Sequence, residues 1–155
     1  MMEPSNQRYT EPIMSIGRLA DKVELSVSTV RKYEAEGLII SHRAPSGHRL
    51  YSYEDLDRVR AIKDLIQQQR LNIEGIRRLV SLVPCLELST CDPEKRRGCP
   101  AFRDNNRPCW MIKDDPSNDQ REQCRQCDVY RFAINSAKDI KKLLYDKIDN
   151  AKTKP

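Results

Sequence analysis

Apolar residues follow helical spacing through the first half of the chain. Behind Ser15, a residue type that caps helix N-termini, apolar side chains recur at positions i, i+3, i+4 and i+7. These side chains are Ile16, Leu19, Ala20 and Val23. A second helix is predicted to begin after Ser26 and to end at Gly37. Its inner face carries Val27, Val30 and Tyr33. Two short helices joined by a tight turn are typical of a helix-turn-helix.

The segment from Leu38 to Tyr53 predicts a basic β-hairpin. Short apolar or alternating runs flank the turn Pro45-Ser46-Gly47, and no acidic residue occurs in this segment. The basic residues of the hairpin are His42, Arg43, His48 and Arg49. A basic hairpin directly after a helix-turn-helix indicates a winged-helix arrangement that contacts nucleic acid.

Two further helices complete a predicted DNA-binding domain over residues 14–83. Ser52 begins a segment like a capping box, and Asn72 is a second cap. The inner face of the first helix carries Leu56, Val59, Ile62, Leu65 and Ile66. That of the second carries Ile73, Ile76, Leu79, Val80 and Val83, and Pro84 ends it. Residues 1–13 are polar and are expected to be a flexible lead-in.

Apolar periodicity is lost over residues 84–128 and returns from Val129. The intervening segment is rich in cysteine, proline and arginine, and we expect it to need a ligand or crosslink to order itself. Over residues 129–152 apolar side chains spaced by three or four predict a seam of about three heptads. The seam consists of Ala133, Ala137, Ile140, Leu144, Ile148 and Ala151. A narrow terminal seam favours a dimerisation helix over a helix packed on its own domain.

Composition narrows the class of protein. The 155 residues carry 28 Lys and Arg against 23 Asp and Glu, a net charge of +5 that is compatible with DNA binding without selecting it. No apolar run reaches the ~18–20 residues needed to span a bilayer, and the polar N-terminus lacks the apolar stretch of a secretory signal. We therefore expect a cytoplasmic protein that has no contact with a membrane.

Six cysteines cluster within the second half of the chain. They are Cys85, Cys91, Cys99, Cys109, Cys124 and Cys127. In a reducing compartment such a cluster favours a metal site or a redox sensor over a disulfide framework. Only one C-x2-C pair is present, whereas structural zinc sites usually have two, and the repeated C-x2-C of ferredoxins is absent as well. An oxidoreductase that uses Cys124 and Cys127 is disfavoured because no strands are predicted near them.

Residues 15–83 resemble the DNA-binding domain of the MerR family of bacterial transcription regulators. The resemblance lies in STVRKYEAEGLI over residues 28–39, close to the family signature T-[LIV]-R-x-Y-E-x-x-G-L-[IL]. It continues in Arg43, in GHRLY over residues 47–51 and in Asp55-Leu56. It implies a mainly α protein with a winged helix-turn-helix, and a long helix that pairs antiparallel in a homodimer.

The resemblance also implies which residues contact DNA. Ser28, Thr29, Arg31 and Tyr33 would lie on the second helix of the motif. Arg43, His48 and Arg49 would lie on the wing, with Tyr51 at its base. Guanidinium groups grip phosphates and base edges, and hydroxyls donate to phosphates. Tyr33 remains open between a phosphate contact and plain packing, while Glu34 is expected to orient an arginine rather than to touch DNA.

Residues 84–130 resemble a Cys-Trp type cysteine module of bacterial signalling proteins. Its pieces are PCLE at 84–87, PCW at 108–110 and CRQCDVY at 124–130. The module departs from that pattern at Leu86, where a Trp would complete the first Cys-Trp. Redox-sensing MerR members hold a [2Fe–2S] cluster on C-x2-C-x-C-x5-C, a spacing that this chain lacks. Thiolate ligands suit iron–sulfur clusters, Zn²⁺ or Cu(I).

These observations predict a dimeric DNA-binding transcription regulator rather than an enzyme. Its promoter binding or distortion would be controlled by an iron–sulfur cluster or Zn²⁺ held by the six cysteines, and RNA polymerase would be a partner at the promoter. Two alternatives stay open for the cysteines: a reversible disulfide switch and inert structural thiols. A chromosome-organising protein that uses the same DNA-binding domain is the other functional alternative.

Overall fold

The computed structural model describes residues 8–83, 94, 97–104, 106–112 and 118–153, and it is mainly helical. The first 83 residues contain β1 (Met14–Ser15), α1 (Ile16–Val23), α2 (Val27–Ala35), β2 (His42–Arg43), β3 (Arg49–Tyr51), α3 (Tyr53–Gln67) and α4 (Ile73–Ser81). The remainder contains a 3₁₀ turn (Pro100–Phe102), α5 (Cys109–Ile112), α6 (Asn118–Gln126), α7 (Asp128–Lys138) and α8 (Ile140–Lys152).

Each helix start predicted in the first domain is confirmed by a side-chain cap. Ser15 accepts a hydrogen bond from the backbone N–H of Arg18, and Ser26 from that of Thr29. At Ser52 the capping box is complete, because the side chain of Asp55 also accepts from the backbone of Ser52. Asn72 caps α4, where its side chain accepts a hydrogen bond from the backbone N–H of Gly75. These caps set the first residues of the four helices α1 to α4. Among them is α2, the second helix of the helix-turn-helix, which we call the recognition helix.

The predicted hairpin is present and is joined by a third strand. The sheet order is β1-β3-β2, with Met14 paired to Tyr51 and Arg43 paired to Arg49. The strand β1 has only two residues, too few for a sequence pattern. Of the interval 1–13, expected to be a flexible lead-in, residues 8–10 are helical, and the Tyr9 hydroxyl donates to Asp57 over 2.9 Å.

The C-terminal seam divides into two parts with different environments. Ala133, Ile134 and Ala137 on α7 are 0%, 2% and 3% exposed, and α7 packs on α3 and α4. This part of the seam therefore belongs to the core of its own chain, which corrects the expectation of one uninterrupted dimerisation helix. At Asp139 the backbone leaves the helical region, and α8 begins.

The second part of the seam is exposed on α8. Leu144 and Ile148, four residues apart, are 48% and 49% exposed, and Tyr145 beside them is 56% exposed. These three side chains form an apolar stripe on the surface of α8. Within the residues that the structure describes, no helix combines the length and apolar character needed to cross a bilayer.

Candidate nucleic-acid interface and cysteine cavity

The recognition helix and the wing share one open cleft of about 510 Å³. Arg31 lines it from α2, while His48 and Arg49 line it from the wing. Arg31 and His48 are exposed and Arg49 is half-buried, so three of the predicted DNA-contacting side chains lie on one accessible surface. The start of α1 at Ser15 completes the cleft. Its backbone N–H groups add a partial positive charge, a feature that a search for basic residues misses.

Glu34 organises the arginines of the wing. Its carboxylate accepts from Arg49 Nε over 2.9 Å and lies 3.8 Å from Arg43 Nη2. It also accepts from Ser41 Oγ over 2.6 Å and from the Tyr51 hydroxyl over 3.5 Å. This bond uses one of the five N–H donors of the Arg49 guanidinium. The expectation that Glu34 orients an arginine agrees with this geometry.

Ser28 and Thr29 lie in the first turn of α2. Both hydroxyls are 2.8 Å from Ser26 Oγ, the capping atom of the helix. Ser28 is exposed and Thr29 is half-buried. A hydroxyl can donate and accept at the same time, so these groups can cap the helix and still face a phosphate.

Two of the candidate DNA-binding residues are buried instead. Tyr33 is 4% exposed and Tyr51 is not exposed at all, and both belong to the apolar core. Burial raises the pKa of Tyr33 above its ordinary value, and the pKa of Tyr51 rises through burial and the nearby charge of Glu34. The structure therefore favours packing over a phosphate contact for both rings, and for Tyr33 packing is one of the two roles that the sequence left open.

We predict that Tyr33→Phe and Tyr51→Phe leave DNA affinity within about twofold of the unsubstituted protein, because both rings belong to the core and phenylalanine keeps their packing. Fluorescence anisotropy with a labelled operator duplex measures the affinity. A tenfold loss for either variant, with an unchanged melting temperature, would return that hydroxyl to the interface.

Three of the six cysteines line one small cavity. Cys109, Cys124 and Cys127 line a space of about 210 Å³ together with the rings of Trp110 and Tyr130. Cys124 is buried and its sulfur accepts from Gln120 Nε2 over 3.5 Å. Cys99 is not among the residues that line this cavity, and it directly precedes the 3₁₀ turn. Cys85 and Cys91 lie outside the described residues.

The described residues do not by themselves form a metal site. Within the ranges 8–83, 94, 97–104, 106–112 and 118–153, no three His, Cys, Asp or Glu side chains lie close enough together to hold an ion. A tetrahedral zinc or an iron–sulfur cluster takes four protein ligands when its site is closed. The thiols of the cavity thus supply the right donor type but not a complete donor set.

Two buried arginines connect the cysteine segment, residues 84–130, to the DNA-binding domain. Neither is among the functional residues predicted from the sequence. Arg125 of α6 forms an ion pair with Asp55 over 3.1 Å. Arg58 of α3 donates to the backbone carbonyl of Tyr130, and its guanidinium lies 3.7 Å from the centre of that ring. Burial lowers the pKa of Arg58 and raises that of Tyr130 to about 12. Arg58 belongs to none of the motifs described above, and Arg125 stands in CRQCDVY at 124–130 only as a residue between two cysteines, so no local signal identified either arginine.

Comparison with known proteins identifies the first domain. Residues 14–82 match the model of the MerR HTH family regulatory protein. This segment is therefore a helix-turn-helix domain of the MerR type, in agreement with its mainly helical fold and small sheet.

Curated relatives match about half of the chain. The HTH-type transcriptional regulator GlnR of Bacillus anthracis is 36% identical over 73 residues, which are 47% of this chain and 56% of the relative. The HTH-type transcriptional regulator ZntR of Escherichia coli K12 is 35% identical over 81 residues, 52% of this chain and 57% of the relative. The mercuric resistance operon regulatory protein of Bacillus cereus is 38% identical over 69 residues, 44% of this chain and 52% of the relative. The matches thus span about half the length of these relatives, and all three names describe regulators rather than enzymes.

Proposed function

We propose that this protein is a sequence-specific DNA-binding transcription regulator. The observation that carries the proposal is the cleft in which Arg31 of the recognition helix faces His48 and Arg49 of the wing, inside the segment that matches the MerR family. A recognition helix reads base edges in the major groove, and a wing contacts the adjacent backbone. The names of the matched relatives as transcription regulators support the same role.

The test is selection of duplex DNA from a random library by the purified full-length chain. We expect a recovered consensus with two inverted half-sites, and an affinity that falls as salt rises because phosphate contacts release counterions. Binding that shows the salt dependence but no consensus would favour the alternative of a chromosome-organising protein. No binding at low salt would refute the proposal.

We further propose that the active species is a homodimer joined through α8. The exposed pair Leu144 and Ile148 continues the predicted seam, and this pair has no cover from its own chain comparable to that of Ala133. Two DNA-binding domains on one dimer would engage a pseudo-palindromic promoter, where RNA polymerase would be the partner whose access is changed.

Leu144→Glu is expected to convert the dimer into a monomer at micromolar concentration, because a charge buried in an apolar helix interface has no counterion. Analytical ultracentrifugation measures the change in mass. Asn150→Glu adds the same charge to the same helix at an exposed position away from the seam and should leave the mass unchanged. Dissociation by both variants, or by neither, would contradict a dimer interface at Leu144.

The cysteine segment is proposed as the part that responds to an effector. Three thiols around one cavity support this role, and Cys85 and Cys91 are available in the sequence to add donors. The candidate chemistries are an iron–sulfur cluster, Zn²⁺ and a reversible disulfide. A cluster would supply a redox-responsive centre, and Zn²⁺ would supply a structural or ligand-exchange centre.

Anaerobic purification without chelator, followed by an absorption spectrum and elemental analysis, separates these chemistries. Broad visible absorbance with several iron atoms per chain would identify a cluster, and one zinc per chain without colour would identify a zinc site. The matched control is Cys124→Ser with Cys127→Ser, which should lose the metal. If the protein carries neither metal, a reversible disulfide is the remaining candidate. Counting the free thiols before and after peroxide treatment tests it.

A further inference from the structure

The backbone segment that joins the recognition helix to the wing is held by side chains from the cysteine segment. This linker comprises residues 37–41, between the end of α2 and the start of β2. Trp110 Nε1 donates to the carbonyl of Gly37 over 2.7 Å. The backbone N–H of Ile40 donates to the Tyr130 hydroxyl over 2.8 Å, and Arg125 Nη1 donates to the Ile40 carbonyl over 3.4 Å.

Further contacts extend this grip to both ends of the linker. At one end Gly37 has a φ of +75°, and the Met111 thioether occupies the place where a side chain at residue 37 would begin. At the other end Glu122 of α6 lies 2.9 Å from His42 Nδ1 on the first wing strand. Burial alone would raise the pKa of Glu122, but its hydrogen bond with His42 and the charge of Arg125 bring it below its ordinary value. Glu122 is thus held as a carboxylate facing the wing.

The residues that grip the linker are neighbours of the thiols. Trp110 directly follows Cys109, and Arg125 directly follows Cys124. Tyr130 lies on the wall of the same cavity as all three thiols, and Cys127 is the residue at which α6 gives way to α7. Each of these three sulfurs thus lies beside a residue whose side chain bonds the linker, or on the same cavity wall as one.

We propose that Trp110, Arg125 and Tyr130 are positioning residues that transmit the state of the cysteine cavity to the DNA-binding surface of the same protomer. The proposal rests on the proposed function and specifies how it would be regulated. Leu38 and Ile39 are 0% and 1% exposed, so the linker is anchored between the contacts made by the cysteine segment. Withdrawal of those contacts leaves half-buried backbone groups of Gly37 and Ile40 without these partners, and the linker must shift or admit water.

The route differs from one that passes through a dimer helix. Every contact named here lies within one chain, and the path from the Cys109 residue to the Gly37 carbonyl crosses only the Trp110 side chain. The two ends of the linker are the C-terminus of the recognition helix and the first strand of the wing, so a shift of the linker changes how the two walls of the cleft face each other. A packed segment of this kind switches between discrete positions rather than deforming continuously.

Hydrogen exchange on the full-length chain tests the proposal without DNA. Tyr130→Phe should speed exchange of the Ile40 amide by at least about fivefold, because that amide loses its acceptor. Tyr53→Phe removes an equivalent hydroxyl from an exposed ring and should leave the same amide unchanged. Treatment of the unsubstituted chain with N-ethylmaleimide should speed exchange throughout residues 37–43.

The cysteine dependence is tested by two matched chains. A chain with Cys109, Cys124 and Cys127 replaced by Ser should lose the response of residues 37–43 to N-ethylmaleimide, whereas Cys99→Ser should keep it. An equal response in both chains, or unchanged exchange in the treated chain, would overturn the proposal. If the triple variant does not fold, the Tyr130→Phe measurement still decides, since unchanged exchange at Ile40 overturns the proposal alone.

DNA binding supplies a second readout that a purely structural role would not change. N-ethylmaleimide treatment should change the operator affinity of the unsubstituted chain by at least about fivefold. In Tyr130→Phe the affinities before and after treatment should be nearly equal. A chain that shows the exchange response but selects no operator would refute the proposed function and leave the coupling intact. If N-ethylmaleimide changed operator affinity by the same factor in Tyr130→Phe as in Tyr53→Phe, the coupling alone would be refuted.

Discussion

Replacement of Arg125 by Met is expected to lower the free energy of unfolding by about 3–5 kcal/mol. Arg125 and Asp55 face each other over 3.1 Å, with only 7% and 4% of their side chains exposed. Burial raises the pKa of Asp55, and the charge of Arg125 opposes that rise. Methionine retains most of the volume of arginine but leaves the carboxylate of Asp55 in the interior without its counterion.

The pH dependence of this loss has a defined sign. Without Arg125, burial acts on Asp55 unopposed by its main partner, so the folded chain holds that proton more tightly than the unfolded chain. Stability of the variant then falls as pH rises above the ordinary pKa of an aspartate, because the unfolded state binds fewer protons there. The difference from the unsubstituted protein should therefore shrink in acid and grow towards neutral pH.

Urea titration followed by circular dichroism measures the loss. Asp55→Asn combined with Arg125→Met should recover a large part of it, because asparagine is neutral and keeps an oxygen for the cap at Ser52. Arg107→Met breaks an ion pair with Asp104 on the exposed surface and should produce a change too small to resolve in the same titration. If Arg125→Met behaved like Arg107→Met, the buried pair would not hold α6 against the DNA-binding domain.

The elements of the DNA-binding domain could be predicted because their signals are local. A cap such as Ser52 acts on a backbone group three residues away, and the capping box observed there needs only Ser52 and Asp55. The wing is similarly local, since Gly47 with a φ of +83° closes a turn between paired strands. Short-range chemistry of this kind is readable from a window of a few residues.

The contacts of the cysteine segment could not be predicted, because they join residues far apart in the chain. Trp110 and Gly37 are 73 residues apart, and Arg125 and Ile40 are 85 apart. Trp110 lies in the cysteine-rich segment, yet its indole N–H bonds the linker of the DNA-binding domain. No periodicity encodes such a pairing, and only the folded chain brings the partners together.

The terminal seam illustrates a second limit. Spacing by three and four residues is the same whether a helix packs on its own chain or on another. Ala133 proves to be fully buried within its chain, whereas Leu144 of the same seam is 48% exposed. The helical backbone is interrupted at Asp139, between these two residues. A new helix, α8, begins there, and the Asp139 side chain caps it by accepting a hydrogen bond from the backbone N–H of Lys142. A dimer would thus use only the later part of the pattern.

Arg31→Ala and Arg49→Ala are each expected to weaken operator binding by about 1–3 kcal/mol, roughly 5- to 160-fold. The expected cause of the lost affinity differs between the two variants. Arg31 is exposed on the recognition helix and faces the cleft, where a guanidinium can bond two acceptors on one base. Its loss should also relax sequence preference at one position of each half-site. Arg49 is held by Glu34 on the wing, and its loss should weaken binding evenly across sequences and reduce the salt dependence by about one phosphate contact.

Anisotropy titrations at several salt concentrations, on the selected operator and on variants with one changed base pair, separate these two roles. Arg78→Ala removes the same charge from α4, where the side chain is 62% exposed and lies outside the cleft, so its effect should stay within about twofold. If all three variants lost affinity equally, net charge alone would account for binding. If only Arg31→Ala and Arg49→Ala lost it, and only Arg31→Ala changed the preferred base, the cleft between helix and wing would be established as the surface that reads the operator.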